Sequence, residues 1–166
     1  MSELIDSIKN LRELTGVGYL DCKKALEENN NDVEKSIDFL RKNGLAKAFK
    51  KSSREANEGA IGVYQNESTA IMIEINTETD FAARNEVFLD FINLVGGYAL
   101  KIDNIFNISI DDFLKKIFDG KKISEYFINI IEKIGENIVL RRISVINKDS
   151  KSEIYTYTHN TYRQNV

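Results

Sequence analysis

The hydrophobic period of this chain changes near residue 59, and that change constrains its fold more than any other feature. Before Gly59, apolar residues recur at helical spacing. Leu4, Ile5, Ile8 and Leu11 form one stripe, Cys22, Ala25 and Leu26 a second, and Val33, Ile37 and Leu40 a third. From Gly59 the period is two: Ile61 and Val63 alternate with Gly62 and Tyr64. Asn66-Glu67-Ser68 separates this run from Ile71, Ile73 and Ile75, which reads as a hairpin. Helical spacing returns over 84 to about 101, about 110 to 118 and about 124 to 134, the last carrying Phe127, Ile130, Ile131 and Ile134. Asn137 to Ile146 is rich in β-branched residues, and Glu153 to Thr158 is a further period-two run. Strands grouped around a helical insert predict an α+β fold with an antiparallel sheet, not a parallel α/β sheet. The expected division is a three-helix module at 1–50, a basic linker or helix extension at 51–58, and an α+β core at 59–166.

Punctuation supports the three N-terminal helices. Thr15-Gly16-Val17-Gly18 breaks the first pair and Asn29-Asn30-Asn31-Asp32 the second, with Asn31 and Glu34 at capping-box spacing. Gly44 is placed to cap the third helix. Lys47, Lys50, Lys51 and Arg54 follow, and read as a solvated basic face.

Composition excludes several classes. A chain of 166 residues with 42% hydrophobic and 30% charged residues can bury one good core and a small satellite. Its net charge of -3 supplies no general basic face, so direct nucleic-acid binding is not expected. The start of the chain has no leader, and no run of about 18 uncharged apolar residues occurs. The expectation is a cytoplasmic protein without a membrane partner. One cysteine and one histidine leave no internal disulfide, no metal ligand set, and no sign of a cofactor. Cys22 lies on an apolar helix face and reads as a small buried hydrophobe. His159 has no Ser or Cys motif near it, and Gly96-Gly97 lacks the flanking strand and lysine of a phosphate loop. Covalent catalysis is therefore not expected, and no residue is assigned a catalytic role.

What remains is Thr79-Asp80-Phe81-Ala82-Ala83-Arg84-Asn85, which sets a carboxylate and an aromatic at a turn between the Ile71 strand and a helix striped by Phe88, Phe91, Ile92 and Val95. A purely local role is open to it: Asp80 as helix cap, Phe81 folded back into the core. The alternative is a turn built to touch another molecule.

Four segments together bear on that choice. They are Leu11 to Leu26 with Asn31 to Ser36; Glu74 to Asn85; Lys133-Ile134-Gly135-Glu136-Asn137-Ile138 with Leu140-Arg141-Arg142; and Tyr157-Thr158-His159. In this order they resemble the signatures of the elongation factor Ts family, the bacterial guanine-nucleotide exchange factors of elongation factor Tu. The resemblance implies that the N-terminal module is of ubiquitin-associated type and docks on the GTPase domain of elongation factor Tu. On this expectation Arg12, Val17, Gly18, Tyr19 and Leu20 face the partner, and His159 meets its surface. It also implies that Thr79, Asp80, Phe81 and Ala82 intrude beside the partner's Mg²⁺ site. GDP, whose phosphates that ion neutralises, is then released, from a partner bound first with GDP and then nucleotide-free. Family members continue past the tyrosine-histidine segment with a second core half, so a short or truncated form carrying one half is expected. An uncovered Glu153 to Thr158 edge predicts a homodimer or a lost C-terminal contact. The alternative is a ubiquitin-associated-type adaptor that binds another protein through Val17-Gly18-Tyr19-Leu20 without exchange activity.

Overall fold

The structure, a computed structural model, describes residues 2–15, 17–102, 105–159, 161–162 and 165–166, so Gly16 of the first turn lies outside the described residues. The N-terminal module is α1 (Ser2–Thr15), α2 (Tyr19–Glu28) and α3 (Val33–Lys51). Their stripes close on a core of Ile8, Leu11, Cys22, Ala25, Leu26 and Leu40. Ser36 is buried there, and its hydroxyl donates to Ala25 O at 3.1 Å and Asp32 O at 2.7 Å, so no polar atom is stranded. Cys22 is the small buried residue its helix face requires. Burial pushes its thiol up, which keeps it unreactive at neutral pH.

Two expectations for this module fail. Asp32, not Asn31, caps α3, accepting from Lys35 N at 3.0 Å. Asn30 and Asn31 instead turn the chain at positive φ of 54° and 61°, a conformation that Asn tolerates better than most residues. Gly44 does not end the helix, which runs seven residues further to Lys51. A Cβ there would lie 3.1 Å from Glu132 Oε2 and 3.2 Å from Ile128 Cγ2, so Gly44 is the point of closest approach to a helix of the core. The basic run beyond it is not simply solvated. Lys47 Nζ lies 3.1 Å from Asp21 and 3.2 Å from Glu132, and Lys51 Nζ donates to Ile131 O at 3.4 Å.

The core opens with β1 (Glu58–Gln65) and β2 (Thr69–Thr77), continues through α4 (Asp80–Ala83), α5 (Glu86–Ala99), α6 (Ile110–Lys115), β3 (Ile117–Phe118), β4 (Lys121–Lys122) and α7 (Ile123–Ile134), and returns in β5 (Val139–Asn147). The sheet is antiparallel in the order β1-β2-β5, with the hairpin and the returning strand both paired to β2. Asn66 closes the hairpin, its side chain accepting from Ser68 N and Thr69 N at 3.0 and 2.8 Å. Ile71, Ile73 and Ile75 on the inner face are fully buried with Phe88, Ile92, Phe113 and Ile123 of the helical layer. Each such side chain stabilises the fold by about 1.5–3 kcal/mol. Ile61, Met72 and Ile146 stay exposed on the opposite face of the sheet.

Boundaries moved where local chemistry overrode periodicity. The helix expected over 84–101 is α5, which starts two residues later because Asn85 caps it by accepting from Val87 N at 2.9 Å; a separate single turn, α4, precedes it. The helix expected to reach 118 stops at Lys115, and the β3-β4 hairpin replaces its end, held by Tyr98 stacked on Phe118 at 4.5 Å. Glu153 to Thr158 is not a strand. Its alternation suits one, but no strand among the described residues pairs with it, and it follows a turn closed by Asp149 and Ser152. The last residues instead reach β1, where Val63 N donates to Asn165 O at 2.8 Å and Val166 is buried in the core. The predicted unpaired edge at 153–158 therefore does not exist.

Tyr64 crosses from β1 to α5, its hydroxyl donating to Asn93 at 3.0 Å over the faces of Gly62 and Gly96. A methyl group at Gly96 would overlap the Tyr64 ring. Gly96→Ala is expected to cost about 1–3 kcal/mol despite its better helix propensity, measured by urea unfolding. A neutral or stabilising result would show that the ring has room to move.

Candidate functional site

Antiparallel pairing decides what surrounds the turn after β2. Asn76 is opposite Val139, so the residues that leave β2 lie beside those that enter β5. Gly135 ends α7 at a φ of +88°, a conformation that costs a glycine little, and so aims Glu136 at the end of β2. The Glu136 carboxylate accepts from Thr77 Oγ1 at 2.8 Å, Glu78 N at 3.1 Å, Thr79 N at 3.0 Å and Thr79 Oγ1 at 2.7 Å. The return contact is made by Glu78, which accepts from Asn137 N at 2.6 Å and faces Arg54 at 3.5 Å. Asn137 in turn donates to Arg54 O at 2.7 Å.

Thr79 then starts α4. Its hydroxyl accepts from Ala82 N at 3.2 Å while donating to Glu136, so one oxygen serves both the cap and the clasp. This corrects the local reading of Asp80, which sits inside the helix and pairs with Arg84 at 3.7 Å. Ala82 and Ala83 are buried against the first two strands. With those two alanines inward, the four-residue helix leaves Asp80 and Phe81 outward, and Phe81 is 84% exposed. It does not fold back into the core. An aromatic ring held in water by a fixed backbone is unusual, because nothing in its own fold gains from it.

The N-terminal candidates are also at the surface. Arg12 and Gly18 are exposed, Gly18 serves as the N-terminal flank of α2, and Leu20 is 77% exposed beside a half-exposed Tyr19. Val17 differs, because it packs on the module's own core. Val17 and Gly18 border a groove of about 650 Å³ whose opposite wall is Val87, Phe91 and Leu94 of α5 and Ile130 of α7. The module thus faces, across this groove, the helix that begins three residues after α4 ends. His159 is exposed, with Nδ1 3.1 Å from the Tyr157 hydroxyl. Three residues later Tyr162 lies under Arg84, 5.9 Å from guanidinium to ring centroid, so the chain just after His159 passes the residue that follows α4.

Glu136 was missing from the candidates, although it lies inside one of the segments quoted above. Its neighbours Gly135 and Asn137 gave the only signal, a C-cap glycine followed by a charged residue ahead of a strand.

A carboxylate with four donors, a framework that joins the ends of two paired strands, and an outward Asp-Phe pair define an α+β protein whose distinctive surface is a presented turn. Comparison with known proteins gives the family. The family model described as Elongation factor TS matches residues 78–166. Elongation factor Ts of Allorhizobium ampelinum is 43% identical over 155 residues, covering 92% of this chain and 49% of that protein. That of Bartonella henselae is 40% identical over 168 residues, covering 100% and 53%, and that of Rickettsia typhi is 44% identical over 154 residues, covering 93% and 48%. The chain belongs to the elongation factor Ts family, and it spans about half the length of these relatives.

Burial opposes the charge of Glu136, but the hydroxyls of Thr79 and Thr77 and the two backbone N–H groups outweigh it and hold the carboxyl below the ordinary glutamate range. A folded value below the unfolded one means that this group's stabilisation is present above the unfolded value and is lost as pH falls through the folded one. The Thr79 amide resonance is expected to titrate with a midpoint below that of a free glutamate. A midpoint at or above the free value would contradict the hydrogen-bond count.

Proposed function

We propose that this chain is a translation elongation factor that binds elongation factor Tu carrying GDP and promotes GDP release, without covalent chemistry. One observation carries the reading: Phe81 is 84% exposed beside a half-exposed Asp80, on a backbone that Glu136 and Thr79 hold by hydrogen bonds. A presented Phe that fills a partner's pocket supplies about 1.5–3 kcal/mol of apolar burial. Asp80 carries negative charge toward a site organised by Mg²⁺ and phosphate, where it disturbs the ion that retains the nucleotide. Release is then a linkage effect: a factor that lowers GDP affinity is itself bound less tightly by the GDP form, and GTP entry expels it.

Residues 1–50 form, in this reading, a ubiquitin-associated-type module that docks through Arg12, Val17, Gly18, Tyr19 and Leu20, with 51–58 as a joining segment and 59–166 as the core. The exposed Leu20 supports the docking role, and His159 supplies an outlying contact. The protein acts in the cytoplasm, with no nucleic-acid contact of its own and no membrane partner. Among the described residues, no helix is long and apolar enough to cross a membrane. The homodimer expected from an uncovered 153–158 edge loses its basis, because these residues form no strand.

Stopped-flow release of fluorescent GDP from the cognate elongation factor Tu tests the function. Phe81→Ala is expected to reduce the accelerated rate strongly while changing stability by no more than about 0.5 kcal/mol, as for an exposed residue. A loss of about 3–5 kcal/mol would mean a buried ring. The double variant Tyr19→Ala, Leu20→Ala is expected to weaken the complex by about 2 kcal/mol or more, read by titration calorimetry. Binding that is unaffected by excess GDP would favour the adaptor alternative instead.

A further inference from the structure

We infer that Glu136 is a positioning residue for nucleotide exchange: its carboxylate holds Thr79 so that the Asp80-Phe81 pair is already in its working geometry before any partner arrives. The inference rests on the exchange-factor reading, and it adds a residue that touches neither partner nor nucleotide in that reading.

The geometry sets this apart from ordinary packing. All four donors to the carboxylate come from the three residues immediately before Asp80. Glu136 reaches them from 57 to 59 positions away along the chain, so no local propensity of the turn could replace it. Thr79 is the relay. Its hydroxyl proton goes to Glu136 Oε1, which leaves its lone pairs turned toward Ala82 N, a donor that the single turn of α4 does not itself satisfy. Without the carboxylate nothing outside the turn fixes the Thr79 side chain, and the cap is made only part of the time. A helix of four residues has no independent stability, because nucleation costs more than one turn returns. Ala82 and Ala83 would still favour burial, but two methyl groups do not fix the direction in which Phe81 points. The turn would then occupy its working geometry only part of the time, and apparent affinity falls by that fraction. The rate within the assembled complex is untouched, since the partner selects the same geometry.

The inference therefore gives a split that a merely structural defect does not. In Glu136→Ala, the concentration needed for half-maximal GDP release is expected to rise about tenfold, with the rate at saturation within twofold of the unsubstituted protein. In a Phe81→Ala background the same substitution is expected to add less than it does alone, because Glu136 acts in part through that ring's placement. Hydrogen exchange on the free protein gives a readout independent of exchange activity: the Thr79 and Ala82 amides are expected to exchange at least about tenfold faster in Glu136→Ala while Ile73 in β2 is unchanged. Glu136→Gln covers the case in which the alanine variant fails to fold. It retains one carbonyl oxygen for the end of β2 but sets an amide against the Thr79 hydroxyl, so an intermediate effect on both readouts is expected. Unchanged exchange at Thr79 and Ala82, a loss confined to the saturating rate, or a full additional loss in the Phe81→Ala background would each overturn the inference. Failure of the unsubstituted protein to accelerate release would overturn the exchange-factor reading, and the positioning role with it. Normal acceleration that Glu136→Ala leaves unaltered would overturn the positioning role alone.

Discussion

The antiparallel register between β2 and β5 is the constraint on which the site depends. Once Asn76 is opposite Val139, two segments far apart in sequence must run side by side beyond the sheet, and the only freedom left is which side chains fill the space between them. Here it is filled by two carboxylates facing opposite ways, Glu136 toward the end of β2 and Glu78 toward the start of β5. Arg54 keeps this arrangement from being a simple repulsion by standing beside Glu78, while donors surround Glu136. The register is itself held by the buried Ile71, Ile73 and Ile75 row. A one-residue slip would turn that row to water and move Glu136 away from its donors.

Much of the fold was legible because single faces had single periods. The three module stripes, the hairpin at Asn66 and the helix around Phe127 are all where spacing puts them. Failures came where a residue answered to a partner outside its own segment. Gly44 carries every mark of a helix end, yet it is a contact with α7, which no local pattern records. The run from Glu153 alternates like a strand, and alternation says nothing about whether a neighbour is present to bond it. Thr79 was placed in the candidate turn, but its role as cap was given to Asp80, because both residue types serve there and the choice depends on where Glu136 lies. Glu136 itself was the least legible: its importance is a property of pairing register, which appears only when the strands have met.

Exposure adds a different kind of information. The module closes its own core with Leu11, Cys22 and Leu26 and still leaves Leu20 in water; the core buries Phe88 and Phe91 and still leaves Phe81 in water. In each case the exposed residue lies close in sequence to fully buried ones, so it is not the product of a loose segment. Folding fixes the backbone on both sides of it and gains nothing from the side chain between.

Helix α3 joins these two regions. Its 19 residues make a rod about 28 Å long, the first part within the module and the last turns seated on α7 through Gly44, Lys47 and Lys51. No hinge interrupts it, and Lys47 ties Asp21 of the module to Glu132 of the core across the junction. Any molecule that touches both Leu20 and Phe81 therefore meets a divalent ligand of fixed span: once the first contact forms, the second is presented at an effective concentration set by a stiff connector and not by a flexible tether, and a target whose two pockets are spaced differently gains nothing from having both.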